Sequence, residues 1–393
     1  MASTCSKQEV FNFIDTHRED MLALWRDLVN IDSGSNDKTG VDKLQNIIKA
    51  NLETDGGTVR LVEYEHAGNM LIAEIGNDRT EPGVIFMGHI DTVFKTGTAL
   101  KNPFTIRDGN AYGPGVLDMK GGVVAFLYAI KALNAAGFSE RPIKVLLAGD
   151  EETGHSSTNA AEVFIKEAAG CIAAFNCETG FADDAIVIGR KGIARFDMEV
   201  RGKAAHVGND PENGRSAIVE IAHKLIEIEK LTDWEAGISF NVGLIEGGSV
   251  PNATPDYAKI KIDIRFPNES DIPKFTKQLE NIAAKSYVTG TTTILTAGTT
   301  FKPMETTEGV KRLFTLVKEA YTENGFGLPY EKKVGGGSDS AYTVIAGVPT
   351  VCAMGVKGGR NHSPEEYAIV ETLFERSKLL ADCVLNLNRI KSM

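Results

Sequence analysis

A chain of 393 residues is too long for one ordinary domain and suits two or three. Its 42% apolar content supplies packed cores, and a net charge of −11 argues against nucleic-acid binding through a broad basic face. No apolar run nears the roughly 18 residues of a membrane helix, and the opening Met1-Ala-Ser-Thr-Cys-Ser-Lys-Gln-Glu carries no apolar signal core. Cys5, Cys171, Cys177, Cys352 and Cys383 form an odd set without close pairing, and read as free thiols of a reducing cytoplasm.

Taken in order, the first part alternates helix and strand. Leu22 to Ile31 and Val41 to Leu52 have helical spacing, while Val59 to Tyr64 and Met70 to Ile75 alternate as strands do. Val84-Ile-Phe-Met is a continuous apolar run leading to Gly88-His89. Met119 to Leu133 is apolar at helical spacing, Ile143 to Ala148 is a strand leading to Glu151, His155 to Ala168 a helix, and Ile172 to Cys177 a strand leading to Glu178. This is the rhythm of a mostly parallel sheet covered by helices. Near Ile188 the rhythm changes. Strands are expected over Ile193–Arg201, Ile238–Ile245, Tyr257–Phe266 and Thr291–Thr296, with helices over Gly214–Leu231 and Ile272–Tyr287. The order β-α-β-β-α-β is ferredoxin-like. From about Phe301 the first style returns, with helices over Val310–Asn324 and Asp339–Ile345, a strand over Pro349–Met354 and a closing helix over Glu365–Leu387. The expected architecture is therefore a large α/β domain (1–188 and 301–393) interrupted by a smaller α+β domain (189–300).

Seven residues stand out against this frame: His89 and Asp91, Asp118, Glu151 and Glu152, Glu178, and His362. In open α/β sheets ligands gather beyond the carboxyl ends of the strands, and His89, Glu151, Glu178 and His362 all follow predicted strands. Asp118 precedes a helix, whose free amides and dipole favour an anion. Each residue alone has a plainer reading, as a loop histidine, a solvated turn or an N-cap. Together, four or five carboxylates at one sheet edge would repel and raise one another's pKa, unless divalent cations share the site. His89 and Asp91, two apart on extended chain, face the same way, so Asp91 can orient the imidazole. Asp118 can bridge two ions, Glu152 and Glu178 can complete one each, and His362 can lie opposite His89. Glu151 is then free to move a proton.

At these residues the chain resembles the M20 family of metallopeptidases, close to its glutamate carboxypeptidase (carboxypeptidase G2-like) branch. The resemblance rests on Met87-Gly-His-Ile-Asp-Thr-Val, Tyr112-Gly-Pro-Gly-Val-Leu-Asp-Met-Lys-Gly-Gly, Asp150-Glu-Glu-Thr-Gly and Gly335-Gly-Gly-Ser-Asp, in the family's order. It implies a zinc-exopeptidase-like catalytic domain in which His89, Asp118, Glu152, Glu178 and His362 hold two zinc ions, cobalt or manganese being possible substitutes. It further implies Glu151 as general base, Asp91 as the orienter of His89, and a cis bond between Asp118 and Met119. The inserted domain would be a lid and dimerisation domain. His206, in Gly-Lys-Ala-Ala-His, would reach the partner subunit's site to hold the oxyanion. Asn252 and Arg265 would bind substrate, and Gly336 and Gly337 would let backbone amides approach its carboxylate. Pro114 and Met119 depart from residues common in the wider family, but neither is a ligand in the pattern.

The implied activity is hydrolysis of an amide bond beside a free carboxylate, in a small peptide or an N-acyl amino acid. A carboxypeptidase is expected first, with C-terminal glutamate a candidate product; an N-acyl-amino-acid deacylase or dipeptidase is the near rival. A two-metal phosphoesterase would want a basic phosphate clamp that the sequence does not supply. A non-catalytic metal- or peptide-binding protein would be expected to have lost the base or a ligand. The expected partners are a small substrate and a second copy of the chain, with no nucleic acid or membrane.

Overall fold

The computed structural model describes residues 5–392, so Met1 to Thr4 of the N-terminal stretch read above lie outside the described residues. The chain divides into two compact units. The first comprises Met1–Ile188, Thr306–Lys333 and Ser338–Met393, and the second Gly189–Glu305 and Val334–Gly337.

The first unit is built on a six-stranded sheet in the order Thr58–Val62, Met70–Ile75, Ile143–Ala148, Val84–His89, Ala173–Asn176, Thr350–Val351. The last four strands run parallel, while the first two are antiparallel additions at one edge. Every residue of Val84–His89 and Ala173–Asn176 is buried. This is why these strands read as unbroken apolar runs instead of alternating. Phe86 packs at 6.2 Å from Phe126 and 6.0 Å from Phe175. Phe126 belongs to the Gly121–Ala135 helix, which buries nearly all its residues beneath the helices Lys7–Thr16 and Glu371–Leu385. Register matters most for function. His89 pairs with Ala148, and Met87 with Asn176, so the three parallel strands end side by side. Whatever follows them is delivered to one edge.

The second unit is an antiparallel sheet in the order Ser239–Gly247, Tyr257–Phe266, Gly192–Arg201, Thr292–Phe301, with the helices Ala217–Glu229 and Ile272–Ala284 packed on it. Phe275 anchors the core against Phe196, Phe240 and Phe266. The connectivity is the ferredoxin-like one. Lys224 and Glu220 form a fully buried ion pair at 3.1 Å. Lys224 also donates to the carbonyls of Ile282, Ala283 and Lys285, while Glu220 accepts from the amides of Tyr287 and Val288.

Several expectations need correction. The Lys7–Thr16 helix was not anticipated, although Ser6 and Glu9 form a capping box at its start. The helix expected from His155 begins at Ala160, because Gly154 and His155 adopt left-handed φ of 65° and 54°. The strand expected over Pro349–Met354 is only Thr350–Val351, and the closing helix runs Glu371–Leu385. Residues 301–305 group with the second unit because Phe301 pairs with Ile193, and Met304 bridges Arg190. Residues 334–337 do so because the Lys191 amide donates to Val334 and the Arg190 guanidinium to Gly337. All five cysteines are free. Among the described residues no helix is long and apolar enough to cross a membrane.

Candidate metal centre

His89 is the last residue of its strand and is buried. Its Nδ1 lies 3.0 Å from the Asp91 carbonyl and 3.3 Å from Asp91 Oδ1. That leaves Nε2 facing Asp118 Oδ1 at 3.3 Å and Glu178 Oε1 at 3.6 Å. Asp118 sits in an irregular turn, Val116–Lys120, where its own φ and ψ of −112° and 95° are not helical, and its bond to Met119 is cis, as the resemblance implies. Its other oxygen, Oδ2, lies 3.1 Å from His362 Nε2. His362 in turn lies 3.4 Å from Glu152 Oε1. The two oxygens of Asp118 therefore face two different histidines, each with a further carboxylate beside it. The sequence placed His362 directly after a strand of the main sheet. It instead follows Lys357–Gly359, a short strand of a separate sheet, in a turn where its own φ is +62°.

Asp91 does more than orient His89. Fully buried, it accepts the amide of Glu151 on Oδ1 (3.1 Å), and the amide of Glu152 (3.2 Å) and the Ser35 hydroxyl (2.6 Å) on Oδ2. One carboxylate thus holds both the first histidine and the turn bearing the Glu pair. Glu366 does the same for Asp118, accepting the amides of Leu117 at 2.7 Å and Asp118 at 2.9 Å. Nothing in the sequence distinguished Glu366 from its neighbour Glu365. The segment carrying Glu178 is wedged between two glycines. A Cβ on Gly122 would stand 1.9 Å from the Cys177 carbonyl oxygen, and one on Gly355 would stand 2.2 Å from the same atom.

The electrostatics ask for cations. Burial drags the His89 pKa down, but Asp118, Asp91 and Glu178 outweigh it and hold the imidazole well above its usual range. The carboxylates of Asp118 and Glu152 beside its Nε2 push His362 up to about 10. Burial raises Glu151 well above the ordinary carboxylate range, with Glu178, Asp339 and Glu152 adding to it and His89 opposing. Burial likewise raises Glu152. A pocket that draws protons onto its ligand atoms would draw a divalent ion in their place. Asp118 Oδ1 and Glu152 Oε1 are buried and accept no hydrogen bond. Such oxygens are costly unless something satisfies them, and a metal ion would. The ligand atoms of His89, Asp118 and Glu152, and of His89, Glu151 and Glu178, come within 4.8 Å of one another. The residues present fit a bound metal.

The remaining singled-out residues lie in the second unit, in two groups. His206 bridges Ala253, and the Val207 amide donates to the Asn252 carbonyl at 3.3 Å. His206 Nδ1 accepts the Gly208 amide at 3.1 Å, so in the neutral ring the proton is on Nε2. Arg265 is held by Asp263 at 2.6 Å through Nε and donates from Nη1 to Gly335 at 3.2 Å. Gly336 and Gly337 follow directly; a Cβ on Gly337 would come within 2.9 Å of the Phe301 ring.

The model of peptidase family M20/M25/M40 matches residues 85–386. The chain is similar to the carboxypeptidase G2 of Pseudomonas sp. (strain RS-16), 30% identical over 369 residues, with 92% of this chain and 87% of that one covered. It is also similar to the succinyl-diaminopimelate desuccinylase of Gluconacetobacter diazotrophicus, 26% identical, with 92% and 95% covered. Among solved structures, that of the aminopeptidase PepT from Bacillus cereus shares the fold with a TM-score of 0.81, 21% identity and coverage of 94% of this chain and 99% of that one. A match to the family model over most of the length, and a full-length relative at 30% identity, agree with a centre built for a metal: the chain belongs to peptidase family M20/M25/M40, as a metal-dependent peptidase or amidohydrolase.

Proposed function

We propose that this protein is a di-zinc carboxypeptidase that cleaves an amide bond beside a free carboxylate, with glutamate a candidate for the released residue. The observation that carries the two-ion reading is Asp118, whose Oδ1 faces His89 and whose Oδ2 faces His362. His89, Asp118 and Glu178 would hold one ion, and His362, Asp118 and Glu152 the other. Mixed imidazole and carboxylate ligation suits zinc. Bound there, the ions would polarise the scissile carbonyl and lower the pKa of water. Glu151, whose raised pKa fits a group that both takes and gives a proton near neutrality, would accept the proton of the attacking water and deliver it to the leaving amine. Asp91 keeps Glu151 in place through its backbone amide.

The second unit would select the substrate. Arg265, oriented by Asp263, offers a planar fork to a carboxylate. His206, protonated on Nε2, is suited to hold a developing oxyanion. That role would fall to the His206 of a second copy, in a homodimer formed through this unit. In support, Ser239–Gly247 is an edge strand and exposes Leu244 and Ile245. Five free thiols fit a reducing compartment, the cytoplasm.

The similarity to a carboxypeptidase favours glutamyl amides, and the similarity to a desuccinylase keeps N-acyl amino acids as the rival class. Zinc-loaded protein assayed against folate-like glutamyl amides, N-acetyl amino acids and dipeptides separates the readings. Glu151→Gln should retain metal and lose nearly all turnover. Full activity in that variant would sink the base assignment, and protein that takes up no divalent ion would sink the reaction.

A further inference from the structure

We propose that His155 is a positioning residue for Glu151: gripped by Asp150 and Asp339, it ties the turn bearing the base to the point where the chain returns from the second unit. The inference rests on Glu151 being the base.

His155 is not a ligand of the centre described above, yet it is buried and held on both sides. Its Nδ1 lies 2.7 Å from Asp150 Oδ1 and its Nε2 lies 2.6 Å from Asp339 Oδ1. Both carboxylates are buried. An imidazole with an acceptor at each nitrogen makes two hydrogen bonds only when the cluster carries one proton beyond neutral histidine and two carboxylates. Burial opposes charging the ring, but Asp339 and Asp150 together keep its pKa well above the usual range. A cation here sits directly between the carboxylates of Asp150 and Asp339. The ring is also fixed in plane, 6.3 Å from Phe164 and 5.9 Å from Tyr342.

Its two partners explain what it positions. Asp150 immediately precedes the short turn Glu151–Thr153. Its carbonyl accepts the amides of Thr153 and His155, and its carboxylate also accepts the Thr158 hydroxyl. The Glu pair is thus clamped twice, by Asp91 through the amides of Glu151 and Glu152, and by His155 through Asp150. Asp339 is the second residue after the chain re-enters the first unit. Its neighbour Ser340 accepts from Asn176 at 2.8 Å, two residues before Glu178. One short segment, Asp339–Ser340, therefore anchors both the Glu151 turn and the end of the strand that presents Glu178. Without His155 the turn keeps its Asp91 side and the local bond from Thr158 to Asp150 but loses its tie to Asp339, and Gly154 supplies no side chain to restrain it.

The test uses the full-length zinc-loaded protein and the amide it hydrolyses fastest in the panel above. His155→Asn keeps an amide near the Nδ1 position and His155→Gln one near Nε2, so each retains one grip and breaks the tie. Both should lower kcat by about 10–100-fold, the range seen when a supporting hydrogen-bond partner is lost. KM and metal content should stay at wild-type values. Each change is then placed in the Glu151→Gln background. If His155 acts through Glu151, the residual rate there should change by less than about twofold, because coupled losses do not add. Equal factors in the two backgrounds, or wild-type kcat in both single variants, would overturn the proposal. If one variant fails to fold, the other carries the same comparison. A fully active Glu151→Gln protein would instead overturn the base reading, a result distinct from either outcome.

Discussion

Gly122→Ala sets two physical rules against each other at the metal centre. Gly122 lies in the first turn of the Gly121–Ala135 helix, with no positive φ to protect it. By helix propensity alone, alanine would stabilise this position by about 0.5–1 kcal/mol. Sterically it should do the reverse. The new Cβ would stand 1.9 Å from the Cys177 carbonyl oxygen, so the two backbones must part by about 1.5 Å to reach the 3.4 Å of ordinary contact. Neither side is a flexible side chain. Four residues before Gly122 is Asp118, and one residue after Cys177 is Glu178, so the separation falls between two of the residues proposed to hold an ion with His89. Overpacking of this kind costs about 1–3 kcal/mol. A misplacement near 1 Å in a reacting constellation can cost about 100-fold in rate. The expected result is a lower Tm, a substoichiometric metal content by elemental analysis, and a kcat reduced by about two orders of magnitude. A Gly122→Ala protein that melts higher and binds and turns over as wild type would show that the wedge of Gly122 and Gly355 around Cys177 does not set the ligand geometry.

Three further outcomes follow from the same contacts. Removing metal with a strong chelator should lower Tm by several degrees. Each site held at 100 times its Kd contributes about 2.7 kcal/mol by linkage, and a calorimetric scan unchanged by chelation would contradict a metal bound in the fold. In the second unit, Lys224→Met leaves Glu220 buried and unpaired and three carbonyls at a helix end without their donor. Urea unfolding should report a loss of about 3–5 kcal/mol, recovered in part when Glu220→Gln removes the unpaired charge, and a neutral single change would refute the role of the pair. His155 gives the pH dependence. Because Asp339 and Asp150 hold its folded-state pKa well above the unfolded value of about 6.5, its stabilising contribution is complete below that pH and is lost as pH rises through the folded value. The Tm gap between wild type and His155→Gln should therefore narrow in alkaline buffer, and a gap that widens with pH would reverse the sign of the argument.

Much of the centre was legible because its chemistry restricts residue type. His89, Glu151 and Glu178 follow apolar runs, and an apolar run ending in a ligand-type residue survives any error in exact strand length. The two antiparallel edge strands and the ferredoxin-like order were legible for a similar reason, since alternation and helical spacing are local. The misjudged boundaries lie where local pattern competes with a distant partner. The expected helix at His155 has helical spacing, but Asp150 and Asp339 pull its first residues into a left-handed turn. Arg190 and Lys191 recruit residues 334–337 to the second unit from across more than a hundred positions.

The supporting residues were illegible for a deeper reason than distance. Glu366 looks like any acidic residue after a proline turn, and its identity as a brace exists only because the amides of Leu117 and Asp118 turn towards it. Those amides are free to do so because Asp118 sits in an irregular, non-helical turn and not in the helix that follows. A ligand is recognisable from what it can bind, and a brace only from what it does bind. Asp91 spans the two cases. Its spacing from His89 identified one function, while its second, accepting the amides of Glu151 and Glu152, required the Ile143–Ala148 strand to lie beside Val84–His89 in parallel register. The same register brings the proposed base and the first histidine onto one carboxylate, so a change at Asp91 should damage metal binding and proton transfer together. A variant such as Asp91→Asn would then fail to separate the two functions, whereas variants at His155 would reach the proposed base and leave metal content unchanged.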